Sequence, residues 1–366
     1  MKLKNCLAMF SVALGWFVSA LPALAADNLT VVFEGKEGPG KGKHIVLVSG
    51  DEEYRSEEVM PMLGKLLAER HGFKCTVLFA IDPKSGEIKP DFGKNIPGLE
   101  ALDSADLMIL LTRFRALPDD QMKHIDDFLK AGKPVTGLRT ATHAFAGLKG
   151  EYEKYNNGYG GKGNEDPWKD GFGRLVLGER WVNHHGAHMS ESTRAMFAEG
   201  AKGNPLLNGI GDGEIWGSTD VYGVRLPLPG DSKVLLLGQS VKRSGPKKSP
   251  DEDANFGMSP EDREPAPPTK DKTGKEVDKN KPMMPIAWTK SYQLPDGKPG
   301  KAFATTMGSA ADVANEGLRR LLVNATYSLL NLPIPEKADV TIVGEYKPSA
   351  YRGGGYRKGV KPSDIK

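Results

Sequence analysis

The chain has 366 residues, of which 39% are hydrophobic and 27% are charged, a composition typical of a soluble globular protein that is long enough to bury a sizeable core. Its 44 Gly and 26 Pro residues follow no strict period, which excludes collagen-like and coiled-coil structures. The 50 basic and 47 acidic residues give a formal net charge of +3. This balance is too even for a protein that binds phosphate backbones, so no nucleic-acid partner is expected.

Residues 1–25 have the three parts of a secretory signal peptide. Lys2 and Lys4 form a basic start, residues 7–21 are mostly apolar, and residues 23–25 read ALA, which resembles a cleavage site. An uncleaved membrane anchor is the alternative, but the apolar run is shorter than the roughly 20 residues that span a bilayer. We therefore expect a mature protein that starts at Ala26, is periplasmic or secreted, and has no stable membrane insertion.

Predicted strands and helices alternate through the first half of the chain. The apolar run at 44–49 predicts a strand buried on both faces, and helical spacing at 55–71 predicts a helix that ends before Gly72. Further strands are predicted at 73–80, 106–111 and 134–138, with a helix at 118–131. Strands and helices that alternate at this spacing predict an α/β fold with a doubly wound, mostly parallel sheet.

The second half of the chain is less regular. Short strands are predicted at 173–177, 233–239, 286–292 and 301–307, and a helix at 311–330. Residues 241–282 are rich in charge and Pro and poor in apolar side chains, which predicts a disordered insert. We therefore expect one domain over 26–335 with this insert, followed by a basic, Tyr-rich tail at 336–366. The tail is expected to lie over the domain surface, with contact to nucleic acid or an anionic surface as the alternative.

Charged side chains follow three of the predicted strands. Asp51 and Glu52 follow the first, Arg113 follows the third, and Arg139 and His143 follow the fourth. Ligands of open parallel sheets bind beyond the carboxyl ends of the strands, so these five residues are candidates for a site. The alternative is structural, because carboxylates before a helix stabilise its N-terminus and can pair with arginines.

Three histidines fall within five residues in the segment 184–188. At this spacing His184 and His188 could hold a divalent metal such as zinc, while His185 could act as a base. A polar surface cluster without a ligand is the alternative.

A second polar group follows at Glu214, Trp216 and Asp220. A carboxylate near an indole is a common way to hold a sugar ring, which hydrogen-bonds at its edge and packs its face on the aromatic ring. The alternative is a buried Trp with a neighbouring structural carboxylate.

Several blocks of sequence together resemble the ThuA-like family, which is named for trehalose utilisation. They are PVTGLRTATHAF (134–145), PLLNGI (205–210), EIWGSTDVYGV (214–224), MPIAWTKSYQ (284–293) and KAFATTMGSA (301–310). The resemblance extends from about His44 to Pro333. It implies a fold like that of flavodoxin and the class I glutamine amidotransferases, and an association with trehalose-type disaccharides and their 3-keto forms.

The chain departs from these relatives in two informative ways. Glutamine amidotransferases need a nucleophilic cysteine after the central strand, whereas this chain has Arg139-Thr140-Ala141 there and keeps Cys75 inside an early strand. Arg139 also stands where ThuA-like proteins typically have His. Hydrolysis of glutamine is therefore not expected.

The resemblance and the residues together lead to an expected enzyme of carbohydrate metabolism. His143 or His185 would be the base and Arg139 would stabilise an oxyanion, while Asp51, Glu52, Arg113, Glu214, Trp216 and Asp220 would contact the substrate. The alternative is a carbohydrate-binding protein that performs no chemistry. The sequence leaves open whether the protein forms a homo-oligomer.

Overall fold

The computed structural model describes residues 29–246, 249–270 and 273–365, so the predicted signal peptide lies outside the described residues. Its strands are, in chain order, β1 (Thr30–Phe33), β2 (His44–Gly50), β3 (Lys74–Phe79), β4 (Leu107–Thr112), β5 (Val135–Leu138), β6 (Ser192–Phe197), β7 (Trp216–Gly217), β8 (Lys233–Val241), β9 (Thr269–Lys270), β10 (Glu276–Val277), β11 (Met284–Tyr292) and β12 (Gly300–Thr305). β9 and β10 form a separate pair. The other ten strands form one sheet in the order β1-β3-β2-β4-β5-β12-β11-β8-β6-β7.

Five parallel strands form the part of the sheet that positions the site. They lie in the order β3-β2-β4-β5-β12. If the five are counted along the chain, this order is 2-1-3-4-5. Antiparallel strands extend the sheet at both sides. The α/β class is therefore confirmed, and the carboxyl ends of the five parallel strands share one edge.

Three α-helices, α1 (Ser56–His71), α2 (Asp119–Lys130) and α3 (Glu316–Leu329), cover the sheet on both faces. Ile45 and Leu47 belong to the apolar core that contains α1 and α3, whereas Val46 and Val48 belong to the core that contains α2. Successive side chains of a strand point to opposite faces. The continuous apolar run at 44–49 therefore predicted burial on both faces correctly.

The prediction of a strand at 173–177 is wrong, because Gly173–Leu177 is one turn of π-helix. Val176 and Leu177, which lie in that turn, are buried. A short apolar run fits a strand and a buried helical turn equally well, and here Gly178 ends the turn with a positive φ of 100°. Sequence analysis also missed β6, which lies against β8.

The described part of residues 241–282, which the sequence predicts to be a disordered insert, makes specific contacts with the domain. Phe256 and Met258 are buried, and the buried Arg194 side chain donates hydrogen bonds to the carbonyl oxygens of Pro260 (2.6 Å) and Asp262 (2.7 Å). Low average hydropathy hid these few anchoring side chains, because burial of a small number of apolar groups and well-paired carbonyls can order a mostly polar loop.

The C-terminal tail runs across α1 towards the carboxyl edge of the sheet. The amide of Ser349 donates to Glu58 Oε2 (2.8 Å), and Tyr351 is completely buried. No helix among the described residues is long and apolar enough to cross a membrane.

Candidate functional site

The candidate site begins where neighbouring parallel strands end. Asp51 follows β2, Arg113 follows β4, and a 3₁₀ turn at Arg139–His143 follows β5. The backbones of Arg55, Phe114 and Arg139 have positive φ angles of 64°, 53° and 41°, which side-chain-bearing residues rarely adopt. Such strained residues concentrate at functional sites, where the surrounding structure holds them in place.

Arg139 forms a fully buried ion pair with Asp220, and both side chains are 0% exposed. Nη2 donates to Asp220 Oδ1 (3.0 Å) and to the hydroxyl of Tyr54 (3.1 Å), while Nη1 donates to the carbonyl oxygens of Asp220 and Thr306 (both 2.7 Å). The guanidinium carbon lies 3.6 Å from the centre of the Tyr222 ring. Other groups of the protein thus accept hydrogen bonds from the terminal N–H groups of Arg139. We therefore assign Arg139 a structural role in place of oxyanion stabilisation.

Asp220 also joins two of the predicted histidines. His184 Nδ1 lies 2.8 Å from Asp220 Oδ2, and His188 Nδ1 lies 3.0 Å from Oδ1. His188 reaches a second carboxylate through Nε2, which is 3.2 Å from Glu53 Oε1. The side chains of His184 and His188 remain 33% and 30% exposed, so this network faces the surface on one side.

Charge is distributed unevenly within the network. Burial alone would raise the pKa of Asp220, but Arg139 and the two histidines hold it well below its usual range. Burial alone would lower the pKa of His188, but hydrogen bonds to Asp220 and Glu53 raise it to about 9. His188 is therefore an imidazolium at neutral pH, held between two carboxylates.

His184, His188 and Asp220 place potential metal-ligand atoms within 4.8 Å of one another. However, both ring nitrogens of His188 and both oxygens of Asp220 already take part in hydrogen bonds or ion pairs. A metal ligand must present a deprotonated nitrogen or a free carboxylate lone pair. The arrangement fits a hydrogen-bonded charge network better than a metal centre, so no chemistry is assigned to a metal here.

His143 lies at the end of the turn that follows β5. Its Nδ1 lies 3.2 Å from Thr142 Oγ1, and its ring lies among Phe114 (4.9 Å between ring centres), Trp181 (5.5 Å) and Tyr222 (6.1 Å). Burial, together with the nearby charges of Arg113 and Arg139, keeps the pKa of His143 well below its usual value. His143 is therefore uncharged at neutral pH.

Arg113 connects Glu52 and Glu53, two of the three acidic residues that follow β2. Nη1 lies 2.5 Å from Glu52 Oε1, and Nη2 lies 3.1 Å from Glu53 Oε2. The Arg113 side chain is 27% exposed, and its neighbour Phe114 is 38% exposed. Arg113 and Phe114 therefore offer a cation and an aromatic face to solvent beside His143.

Asp51, the first residue after β2, has its hydrogen-bond partners inside the protein. It is fully buried and accepts hydrogen bonds from Thr140 Oγ1 and from the amides of Glu53 (2.8 Å) and Tyr54 (3.2 Å). Burial raises the pKa of Asp51 to about 6. Asp51 thus links the ends of β2 and β5, and we assign it a positioning role in place of substrate contact.

Three of the predicted site residues have their contacts elsewhere. His185 Nε2 lies 2.6 Å from the carbonyl oxygen of Lys279 in the insert. Glu214 is exposed and accepts a hydrogen bond from the amide of Gly211 (2.6 Å). Trp216 lies in β7 and pairs with Arg194 of β6. The structure therefore gives no support for a catalytic His185 or for a sugar subsite at Glu214 and Trp216.

Sequence reasoning missed four residues that complete the site: Glu53, Tyr54, Trp181 and Tyr351. Glu53 and Tyr54 directly follow two residues that were selected, so adjacency to the strand end was an available signal. Trp181 precedes the histidine segment by only three residues. Tyr351 had no such signal, because it lies 297 positions beyond Tyr54 in the chain and reaches the site only through the fold.

No family model and no curated protein matches this sequence. Solved structures similar to it include two that were provisionally described as ThuA-like. The one from Bacteroides uniformis is 13% identical, covers 80% of this chain and 93% of its own, and has a TM-score of 0.41. The one from Parabacteroides merdae is 14% identical, covers 87% of this chain and 100% of its own, and has a TM-score of 0.45.

Proposed function

We propose that this protein is a periplasmic or secreted enzyme with a flavodoxin-like fold that acts on an oxidised disaccharide of the trehalose type. The observation that carries the proposal is the environment of His143, which is an uncharged imidazole beside the Arg113 cation and the aromatic rings of Phe114 and Trp181. Aromatic faces with a few polar groups are typical of sugar-binding sites. The choice of a 3-keto sugar as the substrate comes from the resemblance of the sequence to the ThuA-like family.

A 3-keto sugar has an acidic proton on the carbon next to its carbonyl group. In the proposed reaction, His143 Nε2 takes this proton from C2, and the enolate oxygen that forms at C3 is stabilised by Arg113. The enolate then re-forms the carbonyl and expels the glycosidic oxygen from C1, and that oxygen receives a proton. Elimination would thus split the disaccharide without oxidation or reduction.

The experiment is proton NMR of the purified protein incubated with trehalose or 3-keto-trehalose, each with and without a chelator. We expect new sugar resonances from the keto sugar only, and no effect of the chelator. The variant His143→Gln should lose at least 100-fold in turnover, in line with the usual contribution of a positioned base. His185→Gln is the matched control and should retain wild-type turnover, because its side chain contacts Lys279.

A second candidate function is sugar binding without chemistry. It is favoured by Arg139, whose terminal N–H groups are taken up by the protein and therefore unavailable to a reacting substrate. Broadened resonances of a sugar without any new product would favour this candidate. Absence of both broadening and product would contradict both candidates.

A further inference from the structure

A cavity of about 570 Å³ lies between α1 and the C-terminal tail. It shares no lining residue with the charge network around Asp220. Its apolar walls come from α1, the loop that follows β3, and the tail: Pro61, Met62, Ile88, Val343, Val360 and Ile365. Charged residues also line it, and the acidic ones outnumber the basic ones: Glu57, Glu58, Glu345 and Asp364 against Lys65, Lys347 and Arg357. A volume of this size suits a small organic molecule.

One polar group in this cavity is buried and incompletely paired. The Glu57 side chain, in the first turn of α1, is 4% exposed. Its Oε1 accepts a hydrogen bond from the amide of Arg357 (3.3 Å) and lies 3.3 Å from Arg55 Nε. Its Oε2 is buried and has no hydrogen-bond partner among the described residues. Buried carboxylate oxygens are normally paired, so in the ionised form of Glu57 Oε2 lacks a donor that a ligand could supply.

The neighbouring charges are engaged with one another. Glu58 accepts from Arg55 Nη2 and Arg357 Nε (both 3.0 Å), and from the amide of Ser349 (2.8 Å). At the rim, Lys347 Nζ lies 2.6 Å from Glu345 Oε1. These pairs satisfy Arg357 and Lys347, whereas Glu57 Oε2 remains an unused acceptor. The cavity is therefore better suited to a positively charged hydrogen-bond donor than to an anion.

We propose that this cavity binds a small amphipathic amine, with its ammonium group donating to Glu57 Oε2 and its apolar body packed between Met62 and Val360. Burial raises the pKa of Glu57 to about 8, so this carboxyl group is mostly protonated at pH 7 and ionised at pH 9. The ammonium group binds the ionised form and favours it. The ammonium head supplies the missing donor. The alkyl chain covers the apolar wall that the tail and α1 form.

Isothermal titration calorimetry of the full protein with n-hexylammonium, hexanol and hexanoate at pH 9, where Glu57 is ionised and the alkylammonium keeps its charge, tests the chemistry of the ligand. We expect hexylammonium to bind at least tenfold more tightly than the other two, since they share its length but lack its charged donor. Equal affinities, tighter binding of hexanoate, or no binding of hexylammonium would overturn the proposal.

Two variants place the ligand in this cavity. Glu57→Gln should weaken hexylammonium at least tenfold, while the exposed pair Glu37–Lys41 provides a matched control in Glu37→Gln, which should leave the affinity unchanged. Val360→Trp fills the cavity and keeps Glu57, so it should abolish binding even if Glu57→Gln folds poorly. Thermal melting reports the folding of each variant. Unchanged binding by folded Val360→Trp would contradict the assigned location.

Discussion

The ring of Tyr351 stacks on the ring of Tyr54, with 5.3 Å between their centres and 28° between their planes. Tyr54 follows β2 at the carboxyl edge of the sheet, whereas Tyr351 belongs to the tail. Phe256 of the insert also packs against Tyr351 (5.0 Å between ring centres), and the ring of His188 lies 5.6 Å from that of Tyr351. The insert and the tail therefore meet over the charge network and help to hold it in place.

Tyr351→Ala should lower the free energy of unfolding by about 3–5 kcal/mol, the usual cost of removing a large buried aromatic side chain. Urea denaturation measures this change. Tyr351→Phe is the control, because it keeps the ring and loses only the hydroxyl bond to the carbonyl oxygen of Ser218 (3.2 Å), for about 1 kcal/mol. Equal losses in the two variants would show that the ring contacts contribute little.

Arg139→Met should destabilise the fold by about 3–5 kcal/mol, because it leaves Asp220 buried without its main counter-charge. Urea denaturation again gives the change. The exposed ion pair of Lys41 with Glu37 (2.9 Å) provides a contrast, since Lys41→Ala should cost less than about 1 kcal/mol. A loss below about 1 kcal/mol for Arg139→Met would contradict the structural role assigned to Arg139.

Asp51 should make the protein less stable as the pH rises from about 4 to about 6. Burial raises its pKa from 3.8 to about 6, so in this range the unfolded chain releases a proton that the folded protein keeps. The stabilising contribution is complete below the lower pKa and is lost through the higher one, by about 3 kcal/mol. The measurement is urea denaturation at several pH values for the wild type and Asp51→Asn.

The wild type should lose stability relative to Asp51→Asn across this range, because the amide does not titrate. Subtracting the two curves removes the contribution of other titrating groups. Parallel curves would show that Asp51 has an ordinary pKa in the folded protein.

The amide of Gly257, in the insert, should be protected from hydrogen exchange. It donates to Asp253 Oδ2 (2.7 Å), next to the buried side chains of Phe256 and Met258. Mass spectrometry of exchanged peptides measures this protection. Phe256→Ala should remove this protection, because the loop loses its largest buried side chain. If the amide exchanges in the wild type as fast as in an unfolded peptide, the insert is disordered as the sequence predicts.

Local sequence patterns were sufficient for the parallel centre of the fold. The apolar runs of β2 and β4 indicate buried strands, and Gly72 indicates the end of α1. These signals depend only on residues that are close together in the chain. The same patterns placed Asp51, Arg113 and His143 at one edge, because the carboxyl ends of parallel strands meet there. A turn of helix at 173–177 gave no such periodic signal, since its apolar run is too short.

The partners of the polar groups were decided only by the tertiary structure. The pairing of Arg139 with Asp220, the two carboxylates around His188, and the place of Tyr351 over Tyr54 all join residues far apart in the chain. A sequence lists charged and aromatic side chains without their distances. Whether a buried arginine stabilises the fold or meets a substrate depends on the neighbours that use its hydrogen bonds, and those neighbours come together only on folding.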